Sequence, residues 1–235
     1  MVMDKALVMF SGGQDSTTCL GWALERFERV ETIGFHYGQR HKIEMDCRDK
    51  VRTAISGLKA EWSERLGPDW TTSIDLFCDI GGTSLTENMK IHLNESGVPN
   101  TFVPGRNLFF LTATAAYAYR QGIRNIVLGV CETDFSGYPD CRDDAIKAMQ
   151  VALNIGMGSR FVIHTPLMWV DKSEIWLMAK HLGGSPFVDI IREHTHTCYC
   201  GVRTVKYPWG YGCGDCPACK LRAAGWRLFV EKEGV

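Results

Sequence analysis

The chain has almost no net charge, and this absence argues against one large class of partner. Its 235 residues include 26 Lys and Arg against 27 Asp and Glu, a formal charge of -1, and no long run of like charge occurs. A protein that binds nucleic acid without reading its sequence depends on an excess of positive charge. The composition, 45% hydrophobic and 23% charged, is typical of one globular domain with a sizeable core and favours a small-molecule partner.

Long apolar runs are also absent. No stretch approaches the ~18 residues that a membrane span needs. The first residues, MVMDKALVMF, carry an early acid and no cleavage pattern of small residues. We therefore expect a cytoplasmic protein. We find no internal repeat and no flexible interdomain linker.

Short β-rich runs alternate with helical patterns along the first three quarters of the chain. The predicted strands are Lys5 to Phe10, Val30 to Tyr37, Thr72 to Phe77, Asn125 to Val130 and Phe161 to Pro166. The predicted helices are Asp15 to Arg29, Arg40 to Ser56, Asn107 to Gln121, Arg142 to Ile155 and Lys172 to Leu182. This alternation predicts an α/β fold, a Rossmann-like parallel sheet flanked by helices. Gly81 to Pro104 has no clear period and is longer than an ordinary loop, so we predict a functional lid there.

The first predicted strand runs directly into a glycine loop and a helix. Glycines there allow the backbone to approach phosphate oxygens, and the free N–H groups of the first helical turn together with the loop hydroxyls donate hydrogen bonds. The candidate nucleotide-binding residues are Phe10, Ser11, Gly12, Gly13, Gln14, Asp15, Ser16 and Thr17. The alternative is a tight turn in which Ser16 merely caps the helix. The chain contains neither G-x-x-x-x-G-K-[ST] nor G-x-G-x-x-G, and the loop is similar to the PP-loop pattern SGGxDS.

Five of the ten cysteines lie close together near the end of the chain. Cys198, Cys213, Cys216 and Cys219 have the spacing C-x14-C-x2-C-x2-C, which suits four thiolates around one structural Zn²⁺. Cys200 could replace Cys198 as the first ligand, and an iron–sulfur cluster is the rival metal group. We therefore divide the chain into a nucleotide-binding domain, residues 1–190, and a zinc module packed on it, residues 191–235.

Several motifs in order along the chain resemble one family. They are Phe10 to Thr18, Tyr37-Gly-Gln-Arg-His41, Val103-Pro-Gly-Arg-Asn107, Ser136-Gly-Tyr-Pro-Asp-Cys-Arg142, Thr197-Cys-Tyr199 and Cys213-Gly-Asp-Cys-Pro-Ala-Cys219. Together they resemble the 7-cyano-7-deazaguanine synthases, the QueC family of the PP-loop ATP pyrophosphatases. The resemblance implies an adenine nucleotide alpha hydrolase-like fold. It also implies an ATP-dependent carbon–nitrogen ligase of queuosine biosynthesis, which converts 7-carboxy-7-deazaguanine and ammonia into the nitrile through adenylated carboxylate and amide intermediates.

The resemblance also suggests roles for single residues. Asp15, Arg106, Asp140 and Arg142 are the candidate catalytic residues, and Asp15 would help to organise Mg²⁺ or the nucleotide. Gln39, Arg40 and His41 are further candidates for nucleotide contacts. Cys198 matches the first zinc ligand because it stands in a T-C-Y context. A homodimer is what the family suggests. Lys172, at the start of a predicted helix, could neutralise phosphate charge, but we interpret it as a solvated first-turn residue and do not count it among the catalytic candidates.

Other functions remain open from sequence. One is another adenylating PP-loop enzyme, such as a tRNA thiolase, although thiolation needs a reactive cysteine and a basic RNA-binding face. Another is a homologue that conjugates a deazaguanine-like group to a protein. A third is a zinc-knuckle binding module with a degenerate nucleotide fold.

Overall fold

The computed structural model describes residues 4–39, 41–76, 83, 100–132 and 138–234. The strands are β1 (Lys5–Met9), β2 (Arg29–His36), β3 (Leu66–Ser73), β4 (Asn125–Val127), β5 (Val162–His164), β6 (Lys206–Tyr207) and β7 (Gly210–Tyr211). The helices are α1 (Gln14–Leu24), α2 (Ile43–Ser56), α3 (Ala60–Arg65), α4 (Arg106–Gln121), α5 (Asp143–Gly156), α6 (Lys172–His194) and α7 (Pro217–Glu233), with a short 3-10 turn at Pro139–Cys141.

The main sheet has five strands in the order β3-β2-β1-β4-β5. All four strand pairs are parallel. The chain leaves the sheet centre at β1, continues to β2 and β3 on one side, and returns to β4 on the other. This reversal lies beside β1, and in open α/β sheets ligands bind at the carboxyl edge of such a position.

The side chains of β1 alternate between two hydrophobic cores, as expected for a strand covered on both faces. Ala6, Val8 and Phe10 belong to a core formed with α1, α6 and α7. Leu7 and Met9 belong to the opposite core, formed with α4 and α5. Both cores fix the end of β1, and the loop that follows it is therefore held in place from two sides.

The C-terminal segment has its own small cluster of buried residues. Cys198, Trp209, Cys216, Ala218 and Cys219 form this cluster next to the β6–β7 hairpin. The module is not independent of the main body, because α6 and α7 pack along each other and the Trp176 and Trp226 rings meet edge to face with centroids 5.0 Å apart.

The predicted parallel α/β architecture is confirmed, and the structure differs from the local predictions at three places. The third strand runs Leu66–Ser73, not Thr72 to Phe77. The predicted helix Lys172 to Leu182 is present as the first part of α6, and non-helical backbone at Gly184, where φ is 68°, separates it from a second, unpredicted helical part that continues to His194. The seventeen-residue helix α7 was not predicted at all. The predicted lid, 81–104, lies outside the described residues apart from Thr83 and 100–104.

Across the described parts of the chain, we find no helix that combines the length and apolar character needed to cross a membrane.

Candidate active site

A cavity of about 670 Å³ opens at the carboxyl edge of the sheet, beside the end of β1. Its volume lies within the ~300–1,000 Å³ typical of small-molecule sites. Elements from the whole length of the chain contribute to its walls. Among the lining residues are Phe10, Ser11, Gly13, Gln14, Asp15, Ser16, Tyr37, Gln39, His41, Glu44, Arg106, Asn107, Phe110, Tyr138, Cys141, Lys172, His196, Thr197, Tyr199 and Arg222.

The loop between β1 and α1 forms the floor of this cavity. The Gly13 amide donates a hydrogen bond to Ser11 Oγ at 3.2 Å, and the Ser11 amide donates to Ser16 Oγ at 3.3 Å. Gly12 has a φ of +94°, and a Cβ on it would lie 2.3 Å from the Glu44 carbonyl oxygen. A Cβ on Gly13 would lie 2.5 Å from Glu44 Oε1. Gly12 is therefore required by its positive φ and by the close approach of the loop to the α2 backbone, whereas the close contact at Gly13 is with the end of the Glu44 side chain.

Three buried polar atoms of the loop helix have no hydrogen-bond partner within the described part of the protein. They are Gln14 Nε2, Asp15 Oδ1 and Thr17 Oγ1. Buried polar groups are nearly always paired, so such atoms indicate a ligand or ion that completes the site. Gln14 and Asp15 line the cavity, whereas Gly12 and Thr17 lie behind its surface.

Lys172 lies inside the cavity, and its interpretation as a solvated residue is wrong. Its Nζ donates to Asp15 Oδ2 at 2.7 Å, and its side chain is only 13% exposed. The start of α6 is fixed by a capping box, in which Asp171 accepts from the Glu174 amide and Glu174 accepts from the Asp171 amide. This cap holds Lys172 beside the loop between β1 and α1.

Arg106 lies on the other side of the cavity in an aromatic setting. Its guanidinium carbon is 5.6 Å from the Tyr37 ring centre and 5.9 Å from that of Tyr138. Burial opposes its charge, but Tyr37, Tyr138 and Asp140 together hold the pKa of Arg106 above its usual value. Phe110 stacks on Phe35 with ring centres 4.4 Å apart. Arg106 therefore presents a permanent positive charge beside flat apolar surfaces.

Asp140 and Arg142 are not among the described residues that line the cavity. Asp140 accepts hydrogen bonds from the Asn107 amide at 2.9 Å and from Asn107 Nδ2 at 3.2 Å. It thus holds the first turn of α4, which carries Arg106. Arg142 is exposed at the N-cap of α5.

Gln39 and His41 line the cavity as the sequence suggests, and Arg40 lies outside the described residues. The Tyr37 amide donates to Gln39 Oε1 at 2.8 Å, which folds the Gln39 side chain back over the end of β2. A Cβ on Gly201 would lie 2.5 Å from His41 Nδ1. His41 therefore packs between the cavity and the C-terminal module.

Glu44 is a cavity residue that the sequence analysis missed. It stands in the first turn of α2, and its Oε1 accepts a hydrogen bond from Ser11 Oγ at 2.9 Å. Burial raises the pKa of Glu44 to about 7, although the hydrogen bond from Ser11 and the charge of Arg106 act in the opposite direction. The signal that could have found it is weak, because an acid in a first helical turn is ordinary.

The thiols of Cys198, Cys213, Cys216 and Cys219 lie together, with their sulfur atoms all within 4.8 Å of one another. Cys200 is exposed and outside this group. Cys213 Sγ and Cys219 Sγ are 3.9 Å apart, close to the ~3.8 Å separation in a tetrahedron with Zn–S bonds of about 2.3 Å. The Cys216 amide also donates to Cys213 Sγ at 3.3 Å, and such N–H donors stabilise thiolates. The donor set therefore fits one tetrahedral zinc ion.

The cysteine module also forms one wall of the cavity, through Thr197, Tyr199 and Arg222. The Arg222 guanidinium donates to the carbonyl oxygens of Trp209 and Ile191 and to Thr197 Oγ1, at 2.9 to 3.0 Å. Burial lowers the pKa of Arg222 to about 10. This arginine of α7 therefore joins its own helix to α6 and to the segment that carries Thr197 and Trp209, and the three parts form one wall.

Comparison with known proteins gives the chain clear relatives. The family model described as queuosine biosynthesis protein QueC matches residues 5–230. A 7-cyano-7-deazaguanine synthase of Nitratidesulfovibrio vulgaris strain DP4 is 64% identical over 231 residues, which cover 98% of this chain and 96% of that protein. The corresponding synthase of Nitrobacter hamburgensis is 60% identical over 231 residues, 98% of this chain and 97% of that protein.

Among solved structures, the chain is similar to a 4-thiouridine synthetase in complex with RNA and with bound ATP. The TM-score is 0.53, the sequence identity is 14%, and the match covers 97% of this chain. The chain spans about half, 53%, of that longer protein. At this identity the likeness shows the shared fold alone.

Proposed function

The chain belongs to the QueC family of queuosine biosynthesis proteins, and we propose that the cavity at the carboxyl edge of its sheet is where it carries out the 7-cyano-7-deazaguanine synthase reaction. The protein is an ATP-dependent ligase of queuosine biosynthesis. One observation supports this location of the active site. The phosphate-type loop and the aromatic-lined Arg106 open onto the same cavity, where Gln14 Nε2 and Asp15 Oδ1 have no hydrogen-bond partner among the described residues.

The chemistry explains why both halves of this cavity are needed. The substrates are 7-carboxy-7-deazaguanine, ammonia and ATP. A carboxylate is a poor electrophile because its leaving group would be oxide. Attack of a carboxylate oxygen on the α-phosphorus releases pyrophosphate and converts that oxygen into part of AMP. Ammonia then gives the amide, and a second adenylation on the amide oxygen allows AMP to leave as the nitrile forms.

The loop Ser11–Ser16 would hold the pyrophosphate portion of ATP with its amides and hydroxyls. Lys172 supplies a positive charge at the same place, 2.7 Å from Asp15. Asp15 Oδ1 is buried and has no partner within the described residues, so it fits a Mg²⁺ ligand. Mg²⁺, when bound there, would neutralise charge on the phosphates.

Arg106 would hold the carboxylate of the deazaguanine, because a guanidinium binds a carboxylate through two parallel hydrogen bonds. The rings of Tyr37, Tyr138 and Phe110 would cover the flat base. Asp140 acts in this scheme by holding the first turn of α4, and so the position of Arg106. Arg142 stays a prediction, because residues 133–137 before it lie outside the described part of the chain.

The four-cysteine cluster would hold one structural Zn²⁺ through Cys198, Cys213, Cys216 and Cys219. The set offers four protein thiolates, which leaves no open position for a catalytic water. The ion would stabilise residues 191–235 as a module that closes one wall of the cavity formed by residues 1–190.

We also propose a cytoplasmic homodimer. Val151 and Ile155 on α5 are 57% and 79% exposed, and Val162 on the edge strand β5 is 47% exposed. Such side chains on an edge strand and its neighbouring helix favour contact with a second copy. Measurement of molar mass in solution for the wild type and for Ile155→Glu tests the homodimer. A wild-type dimer and a monomeric variant would support it, and a wild-type monomer would refute it.

A product assay tests the proposed function. The protein is incubated with Mg-ATP, ammonium and 7-carboxy-7-deazaguanine, beside an Asp15→Ala variant, and products are identified by mass spectrometry. We expect nitrile, AMP and pyrophosphate from the wild type and a large loss of all three in the variant. Absence of carboxylate-dependent AMP in the wild type would refute the assignment, and adenylation without nitrile would favour a different acceptor.

A further inference from the structure

We propose that Glu44 is the proton acceptor for the attacking nitrogen of ammonia. This inference rests on the proposed function and adds a catalytic residue to it.

Glu44 lies between the two halves of the cavity. On one side its Oε1 accepts from Ser11 Oγ at 2.9 Å, and the same atom lies 2.5 Å from where a Cβ on Gly13 would stand. On the other side, Arg106 and Tyr37 line the same cavity, with the Arg106 guanidinium carbon 5.6 Å from the Tyr37 ring centre. The positive charge of Arg106 lowers the pKa of Glu44, and the charge of Glu44 raises the pKa of Tyr37. The carboxylate therefore stands where a bound triphosphate and a carboxylate substrate would meet.

The electrostatic setting of Glu44 fits proton transfer better than simple phosphate binding. An ionised carboxylate beside a pyrophosphate is repulsive and would weaken ATP binding. The charged and titratable neighbours that act on Glu44 are Asp15 from α1, Arg106 from α4 and Arg48 from α2, with Ser11 as its hydrogen-bond donor. With burial added, the pKa of Glu44 rises to about 7, close to working pH, where a general base and its conjugate acid are both accessible.

The nitrogen of ammonia loses three protons during the reaction, so a proton acceptor is needed three times. The ammonia lone pair attacks the carbonyl carbon of the acyl adenylate, and the new C–N bond leaves the nitrogen with a positive charge and three hydrogens. Glu44 takes one of these protons as the C–O bond breaks and its electron pair leaves on AMP. In the second round the amide nitrogen loses one proton as its oxygen attacks the α-phosphorus. It loses the last proton when AMP leaves and the C≡N bond forms. Between these steps Glu44 returns each proton to solvent.

Glu44→Gln tests this assignment because the amide keeps the size and the Ser11 contact but is not a base. The matched control is Glu61→Gln, at an exposed acid in the first turn of α3. Two reactions are measured. Carboxylate-dependent exchange of pyrophosphate into ATP, without ammonium, reports adenylation alone. Nitrile formation with ammonium reports the complete reaction.

We expect Glu44→Gln to keep exchange within a few-fold of wild type and to lose nitrile formation by about 100-fold or more. Glu61→Gln should change neither. Hydroxylamine is a weaker base than ammonia, so its nitrogen gives up a proton to water more readily once it has attacked. It should therefore restore trapping of the acyl adenylate as a hydroxamate in Glu44→Gln to near the wild-type rate.

Three results would overturn the assignment of Glu44. Loss of exchange in Glu44→Gln would place Glu44 in nucleotide or magnesium binding. Unchanged nitrile formation would show that no base is needed there. Failure of hydroxylamine to restore trapping while exchange persists would show that the variant misplaces the substrate. Absence of exchange in the wild type would instead refute the proposed function itself.

Discussion

Lys172 Nζ lies 2.7 Å from Asp15 Oδ2, and this contact joins two residues that are 157 positions apart in the chain. Each stands in the first turn of its helix, α1 for Asp15 and α6 for Lys172. The pair closes one side of the cavity, and in the proposed function its lysine brings a positive charge to the place where the phosphates of ATP would bind. It also joins the SGGQDS loop to a lysine that belongs to none of the sequence motifs.

We predict that Lys172→Met weakens ATP use. The lysine is 13% exposed, so its charge acts through little solvent and is more effective than a surface charge. We expect kcat/KM for ATP to fall roughly 10- to 100-fold, with a smaller change for the deazaguanine. Lys147→Met, at a lysine 73% exposed, is the control and should leave both constants unchanged. Equal effects of the two variants would contradict this role.

We predict that Gly12→Ala destroys nucleotide binding and lowers stability. The new Cβ would lie 2.3 Å from the Glu44 carbonyl oxygen, at a φ of +94° that side chains rarely adopt. The backbone strain alone costs about 1–3 kcal/mol. Gly156→Ala is the matched control, since no atom lies within 4 Å of its Cβ, and alanine there should stabilise the helix by about 0.5–1 kcal/mol. Thermal unfolding and ATP binding by calorimetry measure both. A Gly12→Ala protein that binds ATP normally would refute the close-approach argument.

We predict that one zinc ion per chain binds to Cys198, Cys213, Cys216 and Cys219. Cys216→Ser should lose the metal and lower the unfolding temperature strongly, because binding of a structural zinc contributes directly to folding. Cys200→Ser should keep the metal and the stability, since Cys200 lies outside the cluster. Elemental analysis of both purified variants distinguishes them. Loss of metal in Cys200→Ser with retention in Cys216→Ser would reverse the assignment.

We predict a pH dependence of stability that comes from Glu44. Burial raises its pKa in the folded protein to about 7, from an ordinary value of 4.5. Between these values the folded state holds more protons than the unfolded state, so Glu44 makes the free energy of unfolding fall as pH rises through this window. Glu44→Gln removes this contribution. Denaturant titrations at several pH values should therefore show the variant gaining stability relative to wild type from pH 5 to pH 7. A constant difference would contradict the raised pKa.

The sequence predicts the strand, glycine loop and helix at the start of the chain well because all their determinants are local. A strand, two glycines and a helix start follow one another between Lys5 and Leu24. Helix α7 was not predicted, because its sequence lacks the usual helical pattern. Arg222 and Gly225 stand at its buried positions, so the helix lacks the apolar stripe by which an amphipathic helix is recognised. Strand β3 was misplaced because Gly67 and Pro68 near its start are usual strand breakers.

The candidate site was only partly predictable for a physical reason. Arg106 and Asp140 were named from motifs, but the sequence does not show that Asp140 binds the Asn107 amide instead of lining the cavity. Glu44 and Lys172 become notable only when folding brings them to Ser11 and Asp15. Neither carries a local pattern, and their importance arises from tertiary contacts alone.

The most direct measurement of the central claim is the ratio of AMP released to nitrile formed by the zinc-loaded protein. If one cavity activates first the carboxylate and then the amide, two AMP and two pyrophosphate are released for each nitrile, and we expect this ratio. All product formation should be lost together in the Asp15→Ala variant. A ratio of one AMP per nitrile, or nitrile formation that survives the loss of Asp15, would contradict it.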